Sequence, residues 1–195
     1  PTGVQPMVDN ESGLAISYNG ELYNYKAIRN HLEKQFGERF AGASDTEVFL
    51  KGVKRLGLDR FLQIADGMFA AAIWDEGNET LALIRDRAGE KPLCYAQQDD
   101  GLFFGSEVKP LATSVTAPLE LDESALYFYF LLRYVPAPFS IFRGIKKVPP
   151  GHYVRFRLGS TPETVPYFSW DPASSEIFPT QKNYEAVVSQ TEKLL

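Results

Sequence analysis

The chain has 195 residues, of which 44% are hydrophobic and 13% aromatic, a composition typical of a folded domain with its own core. Its net charge of -5 disfavours nucleic-acid binding, because such surfaces need clustered Lys and Arg. No apolar run reaches the length of a membrane span, and no signal peptide is visible. The single cysteine, Cys94, cannot form an internal disulfide, so a cytoplasmic location is expected.

The first part of the chain is predicted to contain one strand and three helices. The strand covers residues 14–18, where apolar side chains alternate with small or polar ones, and ends at Asn19-Gly20, a dipeptide typical of hairpin turns. The helices are predicted over 24–36, 44–56 and 58–65. In the first of them, apolar side chains four residues apart form one stripe, namely Ile28, Leu32 and Phe36. The second begins with Ser44 as its cap, and Glu47 three residues later would complete a capping box.

After residue 66 the pattern changes to short apolar or alternating runs separated by turn residues. Four successive strands are predicted over 68–75, 79–85, 92–97 and 102–105, and the tight turns favour an antiparallel meander. A helix follows at 122–132 with Asp122 as its cap, and then a strand at 152–158. Residues 159–182, rich in Ser, Thr and Pro, are predicted to be a linker or a loose surface excursion, and 183–195 a last helix. Because helices and strands are segregated, the fold class is predicted to be α+β.

Metal, nucleotide and serine-hydrolase chemistry have no support in the sequence. HExxH, CxxC, Walker A, GxGxxG and GxSxG motifs do not occur. Of the two histidines, His31 is expected to face solvent and His152 to be structural. Cys94 lies in a predicted strand with Lys91 as its one nearby positive charge, so we expect a buried, unreactive thiol instead of a nucleophile.

Two short motifs suit amide chemistry, although each also has a structural interpretation. The side-chain amide of Asn19 and the backbone N–H of Gly20 are two donors that could stabilise a developing oxyanion, or they could simply form a turn. The carboxylate of Asp45 could bind a substrate ammonium, or it could stabilise a helix N-terminus.

Six segments in one order carry a resemblance to a known family. They cover about residues 5–158 and read NGELYN, SDTE, DGMFAAAIWD, RDRAGEKPL, FGSEVKPL and YVPAPFSIFRGIKKVPPGHY. In this order and spacing they resemble the class II glutamine amidotransferase domain of asparagine synthetases. The last segment, at 134–153, favours the asparagine synthetase branch.

The resemblance implies the N-terminal-nucleophile hydrolase fold, a four-layer αββα sandwich of antiparallel sheets, here incomplete at the N-terminus. Residues 1–158 would form a partial amidotransferase domain, and 159–195 a linker and the start of the connection to an absent synthetase domain. It also implies that an N-terminal cysteine hydrolyses glutamine and that the ammonia amidates aspartate. ATP and Mg²⁺ would bind in the synthetase domain, no cofactor is expected in this chain, and a homodimer remains open.

Carried over by position, the resemblance assigns Asn19 and Gly20 to the oxyanion hole, and Asn19, Gly20, Glu21 and Asp45 to glutamine binding. Glu21 and Asp45 would hold its α-ammonium. No cysteine precedes Asn19, so the nucleophile is absent from this chain and the fragment alone is expected to be inactive. The arginine for the α-carboxylate is also missing. Two alternatives stay open: an amidotransferase with a sugar or peptide acceptor, and a non-catalytic scaffold module.

Overall fold

The computed structural model describes residues 3–98, 101–116, 118–170, 188–189 and 191–193. Its helices are α1 (Tyr25–Phe36), α2 (Asp45–Leu56), α3 (Leu58–Ile64), α4 (Val108–Ser114) and α5 (Glu123–Leu132). Its strands are β1 (Met7–Asp9), β2 (Leu14–Leu22), β3 (Gly67–Asp75), β4 (Thr80–Arg85), β5 (Cys94–Gln98), β6 (Gly101–Gly105), β7 (Lys146–Lys147), β8 (His152–Arg157) and β9 (Glu163–Pro166). They form a large sheet, in the order β1-β2-β3-β4-β8-β9, and a small sheet, in the order β6-β5-β7. Every pair of neighbouring strands is antiparallel.

The buried side chains divide the molecule into four layers. Helices α1 to α3 cover one face of the large sheet, and the core between them includes Leu32, Phe49, Phe61, Ile16 and Phe69. The opposite face packs on the small sheet through residues that include Ala70, Leu83, Val154, Leu93 and Tyr95. The far face of the small sheet is covered by α4, with Cys94, Ala96 and Leu111 in contact. The predicted α+β class and the αββα sandwich are therefore confirmed.

Strand β3 lies inside the large sheet and is buried on both faces. Phe69, Ala71 and Ile73 belong to the core under the helices, whereas Ala70 and Ala72 belong to the core between the sheets. Alternation with apolar residues on both sides explains the unbroken apolar run in the sequence.

The predicted single meander is wrong, because the four strands form two hairpins in different sheets. Strand β4 pairs with β3 and β8, while β5 pairs with β6 and β7. The polar turn after β4 leads the chain from the large sheet to the small sheet. There the fully buried carboxylate of Asp86 accepts hydrogen bonds from the N–H groups of Glu90 and Lys91, each at 2.9 Å. The guanidinium of Arg85 donates to the carbonyl of Val148 at 3.0 Å. These contacts give the polar turn a structural role.

The predicted helices at 24–36, 44–56, 58–65 and 122–132 are confirmed, with two local corrections. Phe36 does not complete the buried stripe of α1, since it stands at the last turn and is 42% exposed. Ser44 caps α2 as predicted, but Glu47 does not complete a capping box. Its carboxylate instead accepts hydrogen bonds from the N–H groups of Ala41 and Gly42, at 2.7 and 2.8 Å, because the preceding loop folds back over it.

The linker predicted from residue 159 is wrong over 163–168. Strand β9 extends the large sheet beyond β8, and the buried Tyr167 donates a hydrogen bond to the carbonyl of Arg85 at 2.7 Å. A short edge strand needs little apolar periodicity, so composition gave no signal of it. Residues 171–182 lie outside the described residues, as does most of the helix predicted at 183–195, of which 188–189 and 191–193 are helical. The domain division at residue 158 stays a prediction.

Candidate functional site

The Asn19-Gly20 dipeptide lies within strand β2 and not in a turn. The strand continues to Leu22, and its register with β3 places Gly20 opposite Phe69. The turn interpretation is therefore wrong, because a strand from later in the chain supplies ladder partners that override the local turn preference.

Gly20 is required where β2 and β3 approach each other. Its φ is +156°, and a Cβ built on it would lie 2.6 Å from Cα of Phe69 and would also overlap the carbonyl oxygen of Met68. No real Cβ tolerates such contacts, so a residue with a side chain would push the strands apart.

The outer edge of β2 is left open beside these residues. Among the described residues, β1 pairs only with the first three residues of β2. Further along, the N–H of Tyr18 donates to the side chain of Gln5 at 2.5 Å, and the N–H of Leu22 donates to the carboxylate of Asp45 at 3.0 Å. The two-residue period of a strand places the N–H of Gly20 between these two on the same edge. A backbone donor thus lies where a substrate could reach it.

Asp45 is the first residue of α2, and its carboxylate connects that helix to β2. One oxygen accepts hydrogen bonds from the N–H of Leu22 and from the Tyr18 hydroxyl, the latter at 3.2 Å. The other oxygen accepts the N–H of Thr46 at 2.9 Å. Burial, together with the Asp45 carboxylate, raises the pKa of Tyr18, so this hydroxyl stays protonated and donates. The structural interpretation of Asp45 therefore holds in part, and this half-buried residue also lines a cavity.

A cavity of about 330 Å³ lies against this edge. Its walls are formed by Gly20, Glu21, Tyr25, Ala43, Ser44 and Asp45. Of the described residues that line it, two carry carboxylates and none is basic. Such a lining favours a cationic group such as an ammonium. The structure thus brings together three of the four predicted site residues.

The fourth, Asn19, lies on the face of the large sheet that packs on the small sheet, as its register partner Ala70 does. Its side-chain amide donates to the hydroxyl of Ser106 at 3.3 Å, and both residues line a separate cavity of about 170 Å³ between the two sheets. Ser106 directly follows β6, so this hydrogen bond joins the two sheets. Sequence reasoning missed Ser106 as a site residue, although it belongs to the segment FGSEVKPL.

Cys94 does not have the surroundings of a nucleophile. It is buried on the face of the small sheet that α4 covers, and burial raises the pKa of its thiol. The predicted burial of Cys94 is therefore confirmed, and a protonated, enclosed thiol is a poor nucleophile.

The described residues contain neither a cluster of metal-ligating side chains nor a membrane-spanning helix. No group of three or more His, Cys, Asp or Glu side chains there could hold a metal ion. No helix formed by those residues is both long and apolar enough to cross a membrane.

Comparison with known proteins identifies the family. The sequence model of the glutamine amidotransferase domain family matches residues 1–168. The chain belongs to that family. This amidotransferase domain is 36% identical over 157 residues to asparagine synthetase [glutamine-hydrolyzing] 3 of Bacillus subtilis, a match that covers 79% of the chain and 25% of that protein. It is also 36% identical over 155 residues to asparagine synthetase [glutamine-hydrolyzing] 1 of the same organism, covering 80% of the chain and 24% of that protein.

A solved structure shows the same fold. The glutamine phosphoribosylpyrophosphate amidotransferase of Bacillus subtilis superimposes on the amidotransferase domain with a TM-score of 0.60 at 21% identity, covering 86% of this chain and 32% of that one. The domain spans about a quarter of the length of the curated relatives it matches.

Proposed function

We propose that this chain is the glutaminase part of an asparagine synthetase-like enzyme of the cytoplasm. It binds glutamine, which is hydrolysed to glutamate and ammonia, and the ammonia passes to a synthetase domain of the same polypeptide. That domain amidates aspartate in an ATP- and Mg²⁺-dependent ligase reaction. Membership of the glutamine amidotransferase domain family and the two Bacillus subtilis relatives support the proposal.

The acidic cavity beside the open edge of β2 carries the assignment of substrate. Glu21 and Asp45 bind the α-ammonium of glutamine, since charge-assisted hydrogen bonds to a carboxylate are among the strong ones. The position of Gly20 in the same cavity wall keeps a backbone donor within reach of the substrate.

When the side-chain amide of glutamine is attacked, negative charge develops on its oxygen. This oxyanion needs two preorganised donors. The N–H of Gly20 is one, and the side-chain amide of Asn19 is the other. An amide NH₂ has two hydrogens, so Asn19 can donate one to Ser106 and still offer the second to the reacting oxygen. Ser106 then fixes the orientation of the amide before the substrate arrives.

The residues of this chain supply binding and oxyanion stabilisation, and the nucleophile comes from a cysteine outside it. The one cysteine present, Cys94, is enclosed under α4. The 195-residue chain alone is accordingly inactive towards glutamine.

Glutamate release from glutamine tests the proposal, measured for the purified 195-residue chain and for the full-length protein. The full-length protein is expected to release glutamate and to form asparagine from aspartate and ATP, and the chain is expected to release none. Release by the chain that disappears in a Cys94→Ala variant contradicts both the proposed nucleophile and the unreactive Cys94. Hydrolysis with amidation of a sugar or peptide, and not of aspartate, identifies a different acceptor. A full-length protein without any hydrolysis is a scaffold.

A further inference from the structure

Helix α5 exposes an apolar surface without a partner in the described part of the chain. Its residues 125–132 read ALYFYFLL, and the nearest charged residues are Glu123 and Arg133. Of these eight residues only Ala125 is buried, while Tyr127 is 64% and Phe130 73% exposed. Leu126, Tyr129, Leu131, Leu132 and Tyr134 are exposed as well. We call this surface the α5 face.

The α5 face is expected to be buried against another surface. A helix that is apolar all round is normally buried within a protein or a membrane, and soluble monomers rarely leave large contiguous apolar patches open. A bilayer fits poorly. With 10 residues, α5 has about half the length that a span needs, and without a charged residue between Glu123 and Arg133 it lacks the polar face of a helix that lies on a membrane surface. Another protein surface is therefore the cover that its chemistry fits.

The helix is held firmly, as a docking surface requires. The carboxylate of Asp122 caps it by accepting hydrogen bonds from the N–H groups of Ser124 and Ala125, at 2.9 and 3.1 Å. The ring of Phe128 packs on that of Phe139, with centroids 5.4 Å apart. One side of α5 is thus attached to the domain, and the aromatic side chains on the other are presented outwards.

We propose that the α5 face docks an apolar surface of the synthetase domain in the same polypeptide. This inference rests on the proposed function. The curated relatives are about three times as long as the chain, and the family match to residues 1–168 includes α5. An uncharged face rich in Tyr, Phe and Leu has the composition of a permanent interface and not that of a transient one. Docking within one polypeptide also keeps the two surfaces at a high effective concentration.

Thiol labelling of the full-length protein tests this docking. Phe130→Cys places a thiol on the α5 face, and Leu158→Cys places a control thiol on a side chain that is 91% exposed. Each variant is labelled with iodoacetamide in its native state and in urea, and the labelled peptide is quantified by mass spectrometry. We expect native labelling at position 130 to be at least about tenfold slower than in urea, because labelling must wait for the domains to open. At position 158 native and denatured rates should agree closely.

The other outcomes overturn the proposal. Rapid native labelling at position 130 means that nothing covers the α5 face. Protection that disappears when sedimentation shows dissociation of a dimer on dilution assigns the face to a second copy of the chain. Glutaminase activity is measured on the same preparations, so a failure of the proposed function is seen separately. Protection of the thiol at position 130 without glutaminase activity contradicts the proposed function and supports the docking. Glutaminase activity without this protection contradicts the docking.

Discussion

The hydroxyl of Tyr18 donates a hydrogen bond to the carboxylate of Asp45 at 3.2 Å, and this contact joins β2 to the first turn of α2. The same carboxylate oxygen accepts the N–H of Leu22 at 3.0 Å. Asp45 is thereby fixed at the wall of the acidic cavity, next to Glu21. A carboxylate with three donors around it is a structural link between β2 and α2, and its fixed position suits the proposed binding of an ammonium.

Removing the donor hydroxyl should weaken the fold modestly. Tyr18→Phe keeps the ring in its aromatic cluster with Phe49 and Phe69 and removes one neutral-to-charged hydrogen bond. We expect the free energy of unfolding in urea to fall by about 1–2 kcal/mol. Tyr23→Phe, at a side chain that is 54% exposed, is the control and should unfold like the wild type. Equal stability of both variants means that the Tyr18–Asp45 contact contributes nothing.

Gly20→Ala should be far more damaging than its size suggests. The new Cβ would meet the backbone of β3, so the free energy of unfolding should fall by about 3 kcal/mol or the protein should fail to fold. Gly105→Ala, where the structure leaves open space around a Cβ, should change stability by less than about 1 kcal/mol. Similar losses in the two variants, measured by urea unfolding, contradict the close approach of β2 and β3.

The oxyanion assignment makes a graded prediction for two residues. In the full-length protein, Asn19→Ala should lower kcat for glutamine hydrolysis about 10²–10³-fold. Ser106→Ala should lower it about fivefold, the equivalent of one neutral hydrogen bond of about 1 kcal/mol, with KM unchanged. Ser114→Ala, at a serine of α4 that bonds the carbonyl of Pro110, is the control. If Asn19→Ala keeps its turnover but loses stability, Asn19 is only a strand residue.

Glu38 should make stability depend on acid pH. Burial alone would raise the pKa of this carboxyl, but hydrogen bonds from Arg55 and Lys51 outweigh burial, and its pKa lies below the usual 4.5. A depressed pKa in the folded state means stability that is present above pH 4.5 and lost as pH falls through the folded value. In urea unfolding, Glu38→Gln should therefore be less stable than the wild type at pH 7, and the difference should shrink as pH falls below 4.5. A constant difference across this range contradicts the prediction.

Local patterns predict helices α1, α2, α3 and α5, because their caps and apolar stripes are encoded in neighbouring residues, whereas α4 was not predicted. Asp122, for instance, was identified as a cap from its position alone, and the structure shows two hydrogen bonds to it. The division of four strands between two sheets could not be predicted, since it depends on a turn held by Asp86 and Arg85, and Arg85 bonds to Val148, which lies far along the chain. Strand β9 was missed for a similar reason, because its pairing with β8 is tertiary.

The candidate site was predicted in part. The resemblance named Asn19, Gly20, Glu21 and Asp45, and the structure gathers the last three around one cavity. It could not indicate that Asn19 lines a cavity between the two sheets, because that follows from continuing β2 past the Asn-Gly dipeptide. Ser106 was missed because it meets Asn19 only when the two sheets pack together.

The central claim is that the acidic cavity binds the α-ammonium of glutamine. Its most direct test compares glutamine-dependent and ammonia-dependent asparagine synthesis in full-length wild type and Asp45→Asn, at a temperature where both are folded. Asparagine in place of Asp45 removes a charge, so KM for glutamine should rise about tenfold to a hundredfold, equivalent to roughly 1.5–3 kcal/mol. Synthesis from free ammonia needs no such contact and should be preserved. An unchanged KM for glutamine, or equal losses with both nitrogen donors, would contradict the claim and leave Asp45 as a link between β2 and α2.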